Sequence, residues 1–376
     1  HTYQPLKSIR PLLKLILPLG DGLMALMALE DALGKHLIQG GVFVPYDGSV
    51  WGGYFSYINL NYLPALNFFG SKNLSVNYHQ THEFGFIEYR NGVGLSFQLP
   101  MNSGNSLSSN HSVQGKVHAM NRQIMNLDEF EDSQPSQTLP TPDVEELNIG
   151  LTYVWKSQRP HTDSYFLPRD GVGFLAHIEK TFPSLWGKSD HTQYWVEGFC
   201  NFDIPKVPFI WFSRIKYAGQ KGNILVQDEL GFSDQAPVYF STAYMTTIRS
   251  TGLFDAPEAY NLRGQNGTHA GNDLIYATTE LRMPLMKRLP VDVLGAGLKN
   301  ITLAGFLDMG YLPDTQTSLT TWGYELRFDV SIFQLPLVTL ATGFGGDAEY
   351  WKQMKGSDSE ELWSQTYLRM ALVNPF

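Results

Sequence analysis

The 376-residue sequence has little charge, a single cysteine and no long apolar run. Charged residues make up 17% of it, against roughly 25% in an ordinary soluble domain. Because Cys200 is the only cysteine, an intramolecular disulfide and a metal site built on several cysteines are excluded. The longest apolar candidate, residues 11–19, contains Lys14 and Pro18 and is shorter than the roughly 18 residues of a membrane-spanning helix. A helical membrane protein is therefore excluded.

The sequence also lacks the common motifs of catalysis and of phosphate binding. It contains no Gly-x-Ser-x-Gly elbow, no phosphate-binding Gly-rich Lys loop and no His-Glu-x-x-His pair. Its net charge of −9 disfavours nucleic acid as a partner, because phosphate binding needs clustered Lys and Arg. We therefore expect a protein that is not an enzyme and uses neither a metal nor a cofactor.

Aromatic residues make up 13% of the sequence, and several segments alternate between apolar and polar residues. In residues 322–330 every even position is large and apolar, while the odd positions are Gly, Glu, Arg and Asp. Residues 147–155, 274–283, 301–310 and the C-terminal segment show the same period of two. This period predicts strands with one apolar and one polar face. The polar face could meet bulk water or a water-filled lumen.

The number and spacing of such segments predict an all-β, transmembrane antiparallel barrel of about sixteen strands, since barrels have an even number of strands near ten residues long. Further strands are expected near 11–19, 23–31, 36–46, 51–62, 73–80, 84–99, 113–125, 170–181, 192–203, 207–218 and 337–345. Residues 20–22 and 47–49 are tight turns, whereas 126–145 and 219–271 are long connections. With an outward first strand, both long connections lie on the outer side.

Residues 23–30 are rich in strong helix formers, and Asp21 could cap a helix there. Propensity alone favours a helix. We expect a strand, because pairing with the neighbouring wall of a barrel can override propensity.

One arginine in the longest connection stands out, with two carboxylates on later alternating segments. Arg263 precedes Gly264, which lets the backbone turn sharply, and Glu280 and Asp308 lie on the polar faces of adjacent predicted strands. An arginine inside a narrow pore is costly unless its planar fork meets carboxylates. The pattern predicts a loop folded into the pore and held by a lock between these residues. Ordinary wall charges exposed to water are the alternative.

These residues resemble the motifs of the BamA-type outer-membrane assembly and translocation superfamily. Leu-Arg-Gly-Gln at 262–265 resembles the Val-Arg-Gly-Phe/Tyr motif of that family's sixth extracellular loop. Phe306-x-Asp308-x-Gly310 matches its motif on the thirteenth strand, and residues 280–284 resemble the Glu-Leu-Arg-Phe-Pro stretch on the twelfth. The resemblance implies that the sixth loop folds inward onto these two strands.

The resemblance also implies a weakly paired seam between the first and last strands, which serves as a lateral gate. The proposed first strand contains Pro18 and the last contains Pro375, and proline gives no N–H to a ladder. Pro18 could instead simply end its strand, and Pro375 could lie in a terminal tail. Tyr367 and Arg369 lie on the polar face of the last strand, and the final Phe376 resembles the family's C-terminal insertion signal.

The resemblance covers residues from about 160 to 376. Near the start, residues 9–11 and the pattern Asp31-x-x-Gly34-x-His36 resemble a branch in which the barrel follows a periplasmic β-propeller. Two features depart from the family's pattern. Gln265 stands where the motif of the sixth loop has an aromatic residue, and no periplasmic POTRA repeat is present in the sequence. We expect residues 1–8 to be a linker from a missing periplasmic region and residues 9–376 to be the barrel.

The function implied by the resemblance is insertion or translocation of polypeptides at the bacterial outer membrane. The expected partners are outer-membrane lipid and lipopolysaccharide, client polypeptides, and periplasmic or lipoprotein subunits. Two alternatives stay open: a passive anchor or pore for a missing periplasmic domain, and a soluble all-β enzyme or lectin.

Overall fold

The structure is a computed structural model, and it describes residues 7–19, 22–46, 51–78, 85–101, 109–125, 143–158, 170–182, 189–225, 228–233, 259–264, 269–286, 291–293, 296–332, 335–354 and 366–372. These residues form strands and one short helix. The elements are β1 Arg10–Leu19, β2 Gly22–Glu30, β3 His36–Pro45, β4 Gly52–Asn59, β5 Ala65–Tyr78, β6 Gly85–Pro100, β7 Ser109–Ile124, β8 Asp143–Gln158, β9 Gly171–Phe182, β10 Asp190–Asp203, β11 Ile210–Asn223, β12 Leu230–Ser233, β13 Ala259–Asn261, β14 His269–Gly271, β15 Asp273–Met286, β16 Val291–Val293, β17 Ala296–Leu312, β18 Thr317–Ile332, β19 Leu335–Gly346, α1 Ala348–Met354 and β20 Thr366–Leu372.

The described residues form one antiparallel sheet of seventeen strands and a small sheet of three strands, β12 to β14. In the large sheet each long strand pairs with the long strands before and after it in the chain. The short β16 adds only three residues beside β17, so sixteen long strands make up the wall. The prediction of an all-β barrel of about sixteen strands is confirmed. Among the described residues, β1 pairs only with β2 and β20 only with β19, so strand pairing does not join the two ends of the sheet.

Alternation along β15, β17 and β18 separates a largely polar inner face from an apolar outer face. On β17 the side chain of Asp308 is fully buried, whereas its neighbour Met309 is 43% exposed on the opposite face. Ile16, Val93 and Ile215 are among the most exposed apolar side chains of the wall. An apolar exterior around a polar interior is the arrangement of a barrel in lipid. Within the described residues, no helix is long and apolar enough to cross a membrane.

The expectation of a strand at residues 23–30 is confirmed, because β2 pairs with β1 on one side and with β3 on the other. These two ladders outweigh the helix propensity of the segment. Several expected boundaries are wrong, among them that of the connection expected at 126–145, which ends at 142 because β8 begins to pair with β7 at Asp143. The strand expected near 73–80 begins at Ala65, and the connection expected at 219–271 spans 224–272, because β11 continues to pair with β10 up to Asn223.

The residues proposed for the seam lie on the two end strands or outside the described chain. Pro18 is the penultimate residue of β1 and lies opposite Leu23 of β2. Tyr367 and Arg369 lie on β20, paired with β19. Pro375 and Phe376 lie outside the described residues. Weak pairing between the first and last strands, and the opening of the seam between them, therefore stays a prediction.

Candidate functional site

The connection between β11 and β15, residues 224–272, is the sixth on the side of the long connections and is named loop 6. Arg263 of loop 6 is 8% exposed and faces the inner side of the wall. Its Nε donates to Asp308 Oδ2 at 2.7 Å and its Nη2 to Asp308 Oδ1 at 2.5 Å. The backbone N–H of Arg263 donates to the same carboxylate at 3.2 Å. This two-pronged contact fixes both the position and the orientation of the loop backbone.

Two further carboxylates and a hydroxyl complete the surroundings of the Arg263 guanidinium. Its Nη1 lies 2.7 Å from Glu280 Oε1 and 3.2 Å from Glu325 Oε2. Its Nη2 also donates to Thr278 Oγ1 at 2.9 Å, and the Thr278 hydroxyl donates in turn to Asp308 at 2.5 Å. Strands β15, β17 and β18 therefore all contact one residue of loop 6.

Two wall arginines balance the remaining negative charge. Arg327 donates to both oxygens of Glu280, at 2.8 and 3.0 Å, and its Nε donates to Glu325 at 2.9 Å. The Nε of Arg282 donates to Glu280 at 2.6 Å. We call the set of three guanidinium groups and three carboxylates the lock cluster; its members are Arg263, Arg282, Arg327, Glu280, Asp308 and Glu325. The lock cluster is electrically neutral, which is the condition under which buried charges are tolerated.

Phe306 covers one face of the Arg263 guanidinium. The ring centroid lies 3.8 Å from Arg263 Cζ, within the range of a cation–π contact, which contributes about 0.5–2 kcal/mol. Phe306 and Asp308 are two apart on β17 and so lie on the same inner face. The motif Phe306-x-Asp308 thus supplies a flat apolar surface and a carboxylate to the same guanidinium.

Glycine is required at two points where loop 6 approaches the wall. Gly264 has a φ of 74°, and a Cβ there would lie 2.0 Å from the carbonyl oxygen of Gly345 on β19. On β17, a Cβ at Gly310 would lie 2.7 Å from the ring of Phe232 in loop 6. Both motif glycines therefore let backbone and side chains of loop 6 and the wall come into direct contact.

An apolar cluster lies between loop 6 and the inner face of the wall. Phe232, Leu230 and Leu262 of loop 6 are all buried to 1% exposure or less. The wall contributes Ala218, Leu274, Tyr276 and Leu312, from β11, β15 and β17. The described residues of loop 6 are thus packed as well as hydrogen-bonded against the inner face of the wall.

The structure brings Glu280, Phe306 and Asp308 into contact with Arg263, and it places Gly264 and Gly310 at two close approaches between loop 6 and the wall. Sequence reasoning missed Glu325 as a direct partner of Arg263. Glu325 lies in one of the alternating segments, but alternation alone does not say whether a polar face meets water or a loop. Gln265 lies outside the described residues.

Within the described part of the chain, no group of three or more His, Cys, Asp or Glu residues could hold a metal ion.

No protein-family model and no curated protein matches the sequence. Solved structures do match. CdiB from Escherichia coli has a TM-score of 0.54 at 12% identity, and the match covers 86% of this chain and 55% of that one. BamA from Haemophilus ducreyi lacking POTRA domains 1–3 also has a TM-score of 0.54 at 12% identity, with 97% of this chain and 70% of that chain covered. The chain shares their fold. It spans about half the length of the CdiB chain.

Proposed function

We propose that this protein is a polypeptide translocator of the bacterial outer membrane, of the BamA type, which inserts or translocates client polypeptides without a cofactor. The observation that carries the proposal is the contact of Arg263 with Asp308 and Glu280 inside the barrel. These are the residues by which the sequence resembles that superfamily. The fold shared with BamA and CdiB supports the same assignment.

The position of loop 6 favours a translocator over a passive pore. Free diffusion of solutes is served by an open lumen, whereas Arg263 and Phe232 hold loop 6 against the inner wall. Burying six charges has a desolvation penalty that only good geometry repays. A loop held in this way is explained if the inside of the barrel must keep a fixed shape while the end strands of the wall exchange one pairing partner for another.

The unjoined ends of the sheet offer a route for a client. Within the described residues, β1 and β20 each have one strand neighbour, and an edge strand presents N–H and C=O groups that can pair with another chain. A client strand would add to such an edge through main-chain hydrogen bonds. Lipid, lipopolysaccharide, and periplasmic or lipoprotein subunits are the further proposed partners.

The test is client folding by the purified, full-length chain in vesicles of bacterial polar lipid. The folding rate of an unfolded outer-membrane barrel protein is measured with and without this protein in the membrane. We expect faster client folding with it than with an unrelated barrel of similar size at equal density. If client folding is not accelerated but small solutes leave the vesicles, the protein is a passive pore. If neither is seen, it is an anchor.

A further inference from the structure

A lysine on the outer face of the wall is held between two aromatic rings. The Nζ of Lys72 on β5 lies 3.9 Å from the ring centroid of Trp51 and 4.9 Å from that of Tyr89 on β6. Both distances are within the range of a cation–π contact. The Tyr89 hydroxyl also donates to the carbonyl oxygen of Trp51 at 3.1 Å. Because this hydrogen bond spans β5, it fixes the two rings on either side of the lysine. We call Lys72, Trp51 and Tyr89 the aromatic clamp.

The aromatic clamp lies on the outer face of the wall. On β5, Phe69 is 4% exposed and faces inward, whereas Phe68 is 49% exposed on the opposite face. Lys72 lies an even number of residues from Phe68 and therefore shares its outward face. Trp51 is itself 49% exposed, and the two neighbours of Tyr89 along β6 are both buried. The ammonium group and both rings are thus presented to the surroundings of the barrel and not to its lumen.

The aromatic clamp also lies at the end of the barrel that carries loop 6. Trp51 follows the β3–β4 connection, which is the second on that side, and Tyr46 at the start of the same connection is 64% exposed. Lys72 pairs with Gly53 of β4 and Asn91 of β6. Each ring belongs to a residue two positions nearer that end, so the lysine side chain extends along the wall towards the outer end. Exposed Trp and Tyr are typical of the level at which lipid headgroups meet water.

The level of Lys72 determines whether a membrane tolerates its charge. A lysine on the lipid face of a barrel is strongly destabilising at the middle of the bilayer and only weakly so near the surface. A lysine near the surface lays its apolar stem along the wall and extends its ammonium group to the headgroups. The two rings of the aromatic clamp hold the ammonium of Lys72 in that direction.

The ammonium group of Lys72 has donors to give. It carries three N–H groups, and the faces of two rings offer it no acceptor oxygen. Among the described residues, Lys72 contacts the two rings and no carboxylate. Lys180 provides a contrast, because it lies two residues from the exposed Ile178 on the same outer face but forms an ion pair with Asp190. Within the described chain, the protein thus supplies a carboxylate to Lys180 and none to Lys72.

We propose that the aromatic clamp binds a phosphate group of lipopolysaccharide in the outer leaflet of the membrane. The ammonium of Lys72 donates to the phosphate oxygens, which are strong anionic acceptors, and the rings of Trp51 and Tyr89 lie beside the lipid at the level of its headgroup. Lipopolysaccharide is the phosphorylated lipid of that leaflet. The site rests on the outer-membrane location contained in the proposed function, and it does not depend on what the barrel translocates.

The test is binding of purified lipopolysaccharide to the full chain, freed of lipid and held in a non-ionic detergent. Its dissociation constant is compared with those of three other ligands: lipopolysaccharide with its phosphates removed, phosphatidylglycerol, and inorganic phosphate. Lys72→Met keeps the length of the side chain and removes the charge. We expect Lys72→Met to bind lipopolysaccharide about 10-fold more weakly, the lower end of what a hydrogen bond to a charged group contributes.

Lys180→Met is the matched control, because it removes the same charge from the same face near the same end of the barrel. Exposed ion pairs such as that of Lys180 with Asp190 contribute little, so binding within about two-fold of wild type is expected. Wild-type affinity in Lys72→Met, or an equal loss in both variants, overturns the proposal. Equal affinity of the wild-type protein for any of the three comparison ligands overturns it too.

If Lys72→Met does not assemble into a heat-modifiable barrel, Lys72→Gln takes its place, because the amide removes the charge and keeps a polar end. The same loss of affinity is expected, and wild-type affinity in that variant overturns the proposal. No client polypeptide is used, so failure of the proposed translocation leaves this test intact. Absence of lipopolysaccharide binding in a protein that accelerates client folding overturns the lipid site alone.

Discussion

Replacing Arg263 by alanine should release loop 6 from the wall while leaving the wall itself assembled. The substitution removes five side-chain hydrogen-bond contacts, to Asp308, Glu280, Glu325 and Thr278. It also changes the net charge of the lock cluster from zero to −1. The consequences differ among the carboxylates. Glu280 and Glu325 keep Arg327, whereas Asp308 keeps only the hydroxyl of Thr278 as a side-chain donor among the described residues.

The magnitude follows from the position of Asp308, which is fully buried. Removing one partner of a buried ion pair costs about 3–5 kcal/mol, because the remaining charge stays desolvated. Release of the loop lets water reach Asp308, so the penalty falls on the docked state of the loop. At about 1.4 kcal/mol per factor of ten, the docking equilibrium should fall by roughly two to more than three orders of magnitude.

Hydrogen exchange at residues 259–264 in detergent micelles measures loop docking, and gel heat-modifiability measures wall assembly. Arg282→Ala is the matched control: it removes a guanidinium from the same cluster, but Arg282 lies on β15, bonds to Glu280 and covers Phe212. We expect fast exchange in Arg263→Ala and near wild-type exchange in Arg282→Ala. Arg263→Lys should be intermediate, because an ammonium keeps the charge without the fork. Slow exchange in Arg263→Ala, or equal exchange in both alanine variants, would refute the reasoning.

Two further outcomes are expected from the packing of loop 6. Gly264→Ala should prevent loop 6 from docking on the wall, because the new Cβ would clash with Gly345 and the φ of Gly264 is positive. Gly305→Ala is the control and should behave as wild type, because a Cβ there meets nothing within 4 Å. Hydrogen exchange at residues 259–264 compares the two variants, and equal exchange in both contradicts the steric argument. Phe232→Ala should lower the free energy of unfolding of loop 6 by about 3–5 kcal/mol, because Phe232 is fully buried. We expect proteases to cleave loop 6 more readily while the barrel stays intact. Unchanged protease sensitivity of loop 6 contradicts this expectation.

The fold and half of the lock cluster were predictable because alternation fixes faces. On β15 and β17 a period of two places Glu280 and Asp308 on the polar faces, and the resemblance of the motifs implied that these faces point inward. The helix propensity of residues 23–30 was misleading, because propensity is a local preference and the ladders on both sides of β2 are not local. Pairing with β1 and β3 therefore determines the conformation of residues 23–30.

The ion pair between Asp228 of loop 6 and Arg122 of β7 could not be predicted from the sequence. The two residues belong to no common motif, and they meet only in the folded barrel. Glu325 lay within reach of prediction, since β18 follows β17 and shares its inner face. What alternation does not reveal is that a loop fills the space in front of that face.

Loop 6 combines two kinds of contact that have different physical effects. The cluster around Phe232 removes apolar surface from water, a gain that is large but has no direction. A loop held only in this way could slide along the wall with little change in buried area. The fork of Arg263 admits one arrangement with Asp308, so it fixes which residue of the loop faces which strand. A buried neutral charge cluster adds little net stability compared with apolar residues of the same volume. Its presence in this barrel is therefore best explained by the register it imposes on loop 6, with stability supplied by the apolar cluster beside it.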